Sequence, residues 1–275
     1  MNIQELEQDE VRTKVREQYG KVAREATGCG CAPTCCGTAS PDADAVPRAE
    51  GVSQGLGYSK EEIGDVPQGA NLALGCGNPQ AIAALRPGET VLDLGSGAGF
   101  DSFLAARAVG TEGRVIGVDM TPEMISKARQ NQTAGGYHQV EFRLGEIESL
   151  PVADGSVDVI ISNCVINLSP DKPRVFREAF RVLKTGGRLA ISDVVASAKI
   201  PDPLRKDWEL YTGCVAGAST VMELQRWLEE AGFVQIRIEP KEGSRKIIQS
   251  WFPDRNPEDF IGSATIQAVK PARYA

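Results

Sequence analysis

Histidine is almost missing from this 275-residue chain. His138 is the only one, so chemistry that runs on a histidine general base has a single candidate. It lies in Gly-Gly-Tyr-His ahead of an expected strand, which reads as a loop position and not as a catalyst. Dense runs of Lys and Arg are also absent and the net charge is −7, which excludes general nucleic-acid binding. The same balance offers anionic substrates no long-range attraction, so a small or neutral substrate is easier to accommodate. No stretch approaches the ~18–20 apolar residues of a membrane span. The first ten residues, MNIQELEQDE, are acidic with no apolar run, so no signal peptide is expected and the expected location is cytoplasmic.

Cysteine, by contrast, is plentiful. Seven thiols, an odd number, in a cytoplasmic protein point to metal binding, catalysis or redox chemistry before a disulfide framework. Four are crowded together as Cys29, Cys31, Cys35 and Cys36. Their spacing lacks the two C-x-x-C knuckles of a tetrahedral zinc site. Cys76 (GCGNP) and Cys214 (TGCVAGA) stand among glycine and small residues, where thiols are poorly placed for packing. Cys164 follows an apolar strand and, taken alone, reads as a core residue.

The spacing of Val11, Val15, Tyr19 and Val22 predicts a helix over 8–25. Residues 38–51 read as a mobile loop or disordered segment. From Glu89 onward strands and helices alternate. Strands are expected over 91–94, 114–119, 140–144, 157–163 and 188–195, with helices over 101–109, from Thr121, and over 173–183. That alternation implies a parallel sheet covered on both faces. After Ala196 the rhythm changes: helices over 204–211 and 220–232 and strands over 233–239 and 264–270 enclose an irregular stretch, 241–260. The expected organisation is an N-terminal helix, cysteine cluster and loop (1–57), an α/β domain (58–197) and a smaller C-terminal α+β domain (198–275).

Between the first expected strand and helix runs DLGSGAG, Asp93 to Gly99. Glycines there let the backbone turn sharply and approach a ligand, and the helix start favours an anionic group. Asp119 ends the second strand, where a carboxylate can accept ribose hydroxyls. The loop is G-x-G-x-G, not the G-x-G-x-x-G of dinucleotide folds. With Asp119 and the turn GEIESLP (Gly145–Pro151) it resembles the class I S-adenosylmethionine-dependent methyltransferases. The implied fold is a doubly wound, Rossmann-like sheet with an N-terminal lid of helix and cysteines. The implied cofactor set is Asp93, Gly95, Ser96, Gly97 and Gly99 on the first loop, Asp119 and Met120 after the second strand, Glu146 and Ile147 in the acidic turn, and Asn163. Glu148 alternates away from Glu146 and reads as solvated.

From Tyr58 to Phe260 the resemblance sharpens. SNCVINLSPDK (Ser162–Lys172), REAFRVLKTGG (Arg177–Gly187), ISDV (Ile191–Val194) and the Gly213-Cys214 pair resemble the arsenite methyltransferases. That family implies three thiolates, Cys76, Cys164 and Cys214, on trivalent arsenic. It implies a fourth thiol, Cys35 or Cys36, in disulfide exchange, with thioredoxin or glutathione restoring the thiols and no catalytic metal. Arsenite and methylated arsenicals are the implied substrates, with no nucleic-acid or membrane partner. Two other readings share the cofactor motifs: methylation of a small organic acceptor such as a quinone or sterol, and a metalloid-binding module without turnover.

Overall fold

A computed structural model describes residues 8–25, 45–198, 200–244, 248–249, 251 and 256–272. Ten α-helices precede and separate eight strands among these residues. Helices α1 (Gln8–Glu25), α2 (Ala45–Gly55), α3 (Lys60–Gly64) and α4 (Gln80–Ala83) lead into the sheet. The units β1 (Thr90–Leu94), α5 (Phe100–Val109), β2 (Arg114–Asp119), α6 (Pro122–Gly135) and β3 (Val140–Leu144) follow. Then come β4 (Val157–Asn163), α7 (Lys172–Val182) and the long β5 (Leu183–Ala196). The chain continues through α8 (Asp202–Arg205), α9 (Trp208–Thr212), β6 (Ser219–Thr220), α10 (Val221–Ala231), β7 (Val234–Pro240) and β8 (Ile261–Val269).

The sheet order is β3-β2-β1-β4-β5-β8-β7, with β6 beside β5. Strands β1 to β5 run parallel, and β8 is antiparallel to both its neighbours. The central strands are apolar on both faces because helices cover both. On β4, Ile160 packs into the core under α7 and α10, while Val159 and Ile161 pack into the core under α5 and α6. Each such fully buried side chain contributes about 1.5–3 kcal/mol. Sequence order reverses between β1 and β4, and that switch point opens a crevice at the carboxyl ends of the strands.

Three expectations need correction. Residues 45–51, read as loop, form the first part of α2. Pro47 falls in its first turn, where backbone N–H groups have no intrahelical partner to lose; residues 38–44 lie outside the described set. Strand β5 starts at Leu183 and not at 188, because Leu183 already pairs with Val157 and a register shift absorbs the glycines that follow. The boundary at 197/198 does not divide the sheet. Strand β8 pairs with β5 from Arg188↔Val269 to Ala196↔Ile261, and Leu228, Phe233 and Ile266 share one core with Val182 and Leu189.

Helix α1 buries Val11 and Val15 against Leu210 and Val215, and Val22 and Ala23 against Leu72 and Met124. It thus lies across the strand ends. No helix among the described residues is long and apolar enough to cross a membrane.

Candidate active site

A cavity of about 380 Å³ opens where β1, β2 and β4 end. Its floor is the turn after β1. Gly95 has φ +68°, and a Cβ there would come within 2.4 Å of Val165 Cγ2, so only glycine fits. Asp119 braces the turn: one carboxylate oxygen accepts the Gly97 N–H at 2.9 Å, the other the Thr121 N–H at 2.8 Å. Burial pushes the Asp119 carboxyl up, and these two N–H groups oppose it. Asp93 accepts the Ser102 hydroxyl at 2.6 Å and is held well above the usual carboxylate range by burial and by Asp101. Ser96 Oγ and Asn71 Nδ2 are buried in residues lining this cavity with no partner among the described residues. Unpaired buried polar atoms are costly, so they fit a polar ligand such as a nucleoside.

Asp93, Gly95, Ser96, Gly97, Asp119, Met120, Ile147 and Asn163 line the cavity. Gly99 instead caps α5. Glu146 is turned to Arg12 Nε at 3.2 Å and is not among the lining residues. Glu148, read as solvated, is 3% exposed. It lines the cavity, accepts the Ser169 hydroxyl at 2.7 Å, and faces Arg12 at 3.5 Å. The alternation failed because the turn is bridged between Glu146 and Ser149 rather than extended, which swings Glu148 inward. Arg12, Val15 and Tyr19 bring α1 over the same opening, and Tyr19 donates to the Thr212 carbonyl at 3.1 Å.

Cys164 and Cys214 line one side of this cavity, and the Cys76 sulfur lies close to that of Cys164. Cys164, just past β4, and Cys214, just past α9, both take left-handed backbone conformations, with φ 58° and 65°. Such strain in non-glycine residues marks positions that the surrounding packing holds for a purpose. The Cys214 thiol donates to the Cys164 carbonyl at 3.0 Å. The sulfurs of Cys76 and Cys164 and a carboxylate oxygen of Asp193 lie within 4.8 Å of one another. Cys164 is thus central: its sulfur lies near that of Cys76, and its carbonyl accepts the Cys214 thiol. Its apolar strand would place it in the core, yet it is half-buried and lines the cavity with Cys214. Cys35 and Cys36 lie outside the described residues.

All three thiols are held in the neutral form. Burial pushes Cys76 up. For Cys164 the hydrogen bond from Cys214 favours the thiolate, but the contact with Cys76 and burial outweigh it and carry the group well above its usual value. Cys214 rises through its bond to Cys164 and through burial. None of the three is paired in a disulfide.

Two features went unread in the sequence. Asp193 accepts the Ile166 N–H at 2.9 Å, the Val194 N–H at 2.7 Å and the Asn167 amide at 3.0 Å, so it anchors the turn that carries Cys164. Burial lifts it to about 6. Tyr58 donates to Asp101 at 2.8 Å, and both line the cavity. An isolated Asp in ISDV and a Tyr before a capping box carry no pattern that would single them out. His138 is exposed on the turn between α6 and β3.

Sheet order, glycine turn and acidic strand ends together define a Rossmann-like methyltransferase, and a family described as a methyltransferase domain matches residues 85–232. The chain is 52% identical over 278 aligned residues to an arsenite methyltransferase of Halobacterium salinarum, covering 98% of this chain and 69% of that one. To an arsenite methyltransferase of Aquipseudomonas alcaligenes it is 40% identical over 232 residues, covering 82% of this chain and 62% of the relative. Among solved structures, an arsenic(III) S-adenosylmethionine methyltransferase from Chlamydomonas reinhardtii superposes with a TM-score of 0.60 at 33% identity, covering 82% of this chain and 75% of that one. The chain belongs to the arsenite methyltransferase family.

Proposed function

We propose that this chain transfers methyl groups from S-adenosylmethionine to trivalent arsenic held by Cys76, Cys164 and Cys214. The observation that carries the reading is the closeness of Cys164 to both Cys76 and Cys214, beside a cavity whose unpaired polar atoms suit a nucleoside. Soft sulfur ligands select thiophilic centres over hard cations. Neutral thiols are also the correct reactant: each proton leaves with an arsenite hydroxide as water, and no net charge enters a buried site. Three buried thiolates without a ligand would be far costlier.

Asp93, Ser96 and Asn71 would hold the cofactor beside the glycine turn, with Asp119 at its ribose; S-adenosylmethionine supplies an electrophilic methyl group. Cys164 and Cys214 present the acceptor to the same cavity. The acceptor gives a lone pair to the new carbon bond and loses no proton, so no general base is required, in keeping with an exposed His138. Orienting the two reactants can account for roughly 7–11 kcal/mol of the barrier. Arsenic rises formally from trivalent to pentavalent. Two thiols forming a disulfide return the two electrons, and an external thiol such as thioredoxin or glutathione then reduces that disulfide. The family resemblance makes Cys35 or Cys36 one of the pair, and the cytoplasm, kept reducing, is the compartment that suits the cycle.

Purified protein given S-adenosylmethionine, arsenite and a thiol reductant is expected to release methylated arsenicals, read by product speciation. Cys76→Ser, Cys164→Ser and Cys214→Ser should each abolish three-coordinate arsenite binding. Stoichiometric, undiminished arsenite binding in any one of them refutes the three-sulfur site. Methylation of a quinone or sterol that survives Cys164→Ser would favour an organic acceptor instead.

A further inference from the structure

Asn163 ends β4 between the two halves of the site, and its amide is fully engaged. Its Oδ1 accepts the Cys76 N–H at 3.1 Å. Its Nδ2 faces the Gly77 carbonyl at 2.8 Å, the Tyr58 hydroxyl at 3.0 Å and Asp101 Oδ2 at 3.2 Å. Two amide hydrogens serve these three acceptors. A Cβ on Gly75 would come within 2.8 Å of the same nitrogen, so the loop lies directly on the side chain.

Residues 71–78 form no helix or strand, so their backbone polar groups need partners from elsewhere. The Cys76 N–H and the Gly77 carbonyl find both partners on this one amide. Tyr58 and Asp101, on its other side, line the cofactor cavity. An amide is the side chain that can accept from one group and donate to the others; Asp lacks the donor and Leu lacks both.

We infer that Asn163 is a positioning residue that holds the Cys76 loop in register with Cys164 and ties it to the cofactor wall through Tyr58 and Asp101. The inference rests on Cys76 being an arsenic ligand. Asn163 then acts on arsenic through Cys76, and its removal should be felt only where Cys76 is present.

A double-mutant cycle on the full chain tests this. Asn163→Ala should weaken arsenite binding about 5- to 150-fold, the range for leaving buried partners unpaired. In a Cys76→Ser background it should change the residual two-sulfur affinity of Cys164 and Cys214 for arsenite by no more than about twofold, the usual scatter of independent sites. Unchanged arsenite affinity in Asn163→Ala, or the same loss in both backgrounds, overturns the assignment. If Asn163→Ala does not fold, Asn163→Asp enters the same cycle with the same readings: it keeps the volume and the acceptor for Cys76 but loses the donor. The alkylation rate of Cys76 by iodoacetamide, read by mass spectrometry against Cys164, should rise in either variant; an unchanged ratio overturns the inference. If Cys76→Ser alone leaves arsenite affinity intact, the three-sulfur reading fails, and the alkylation ratio still judges Asn163.

Discussion

Gly77 offers the sharpest steric test of how the thiols are brought together. A Cβ at this position would lie 2.1 Å from Ser192 Oγ, 2.8 Å from Lys241 Nζ and 3.2 Å from Ser192 Cβ. Lys241 can swing away, because its amine ends a flexible chain. Ser192 cannot: it is fully buried on β5, pairs with Asn163 in the sheet, and its carbonyl accepts the Cys164 N–H at 2.8 Å. Ordinary contact begins at 3.4 Å, so Gly77→Ala must shift the loop by about 1.3 Å unless Oγ rotates, and the Cβ contact remains tight even then. Overpacking of this kind costs typically about 1–3 kcal/mol. A displacement above an ångström also exceeds the ~0.2 Å tolerance of ligand distances. Gly77→Ala should therefore weaken arsenite binding about tenfold or more, measured by quenching of tryptophan fluorescence, since Trp251 lines the cavity. Ser192→Ala removes the closest atom. Ser192 Oγ is buried with no partner among the described residues, so its loss should be neutral on its own. The double variant Gly77→Ala/Ser192→Ala should then recover most of the binding. Full arsenite affinity in Gly77→Ala, or no recovery in a folded double variant, would refute the steric reasoning.

Asp119→Ala should weaken S-adenosylhomocysteine binding, because it removes the brace on Gly97 and the ribose acceptor, while arsenite binding stays; calorimetric titration of both ligands decides it, and unchanged nucleoside affinity sinks the assignment. Burial lifts Asp101 from 3.8 to about 6. The folded chain therefore keeps a proton there that the unfolded chain has released, so this group favours folding fully below pH 3.8 and loses that contribution as pH rises to about 6. Asp101→Asn removes the dependence: the melting temperature of the parent relative to the variant should be higher at pH 5 than at pH 7. At about 2–4 °C per kcal/mol for large domains, the change is measurable by calorimetry; parallel pH profiles would show that Asp101 is not the titrating group.

Much of the fold was legible because local rules agree with the global one. The spacing of valines predicted α1 over its full length, and the helix expected from residue 220 does start there, capped by Thr220. The cofactor crevice was legible for a related reason: a strand, a glycine turn and a helix are contiguous in the chain. Some failures were local, such as the bridged turn that brings Glu148 inward, and others involved partners distant in sequence. Nothing near residue 261 says that β8 will pair with β5, and nothing in GEIESLP says that Arg12 will face both Glu146 and Glu148.

The same division runs through the thiols. Residue types alone offered seven thiols and a nucleoside-type glycine turn, because softness and glycine geometry are local properties; it was a family resemblance that joined the two. Only the tertiary structure decided that Cys164 and Cys214 line one cavity with Cys76 beside Cys164, that Asp193 and Asn163 hydrogen-bond to the segments carrying Cys164 and Cys76, and that all three thiols are pushed up from their ordinary value. Those facts depend on burial and on hydrogen bonds between segments dozens of residues apart, and both exist only once the sheet has closed around them.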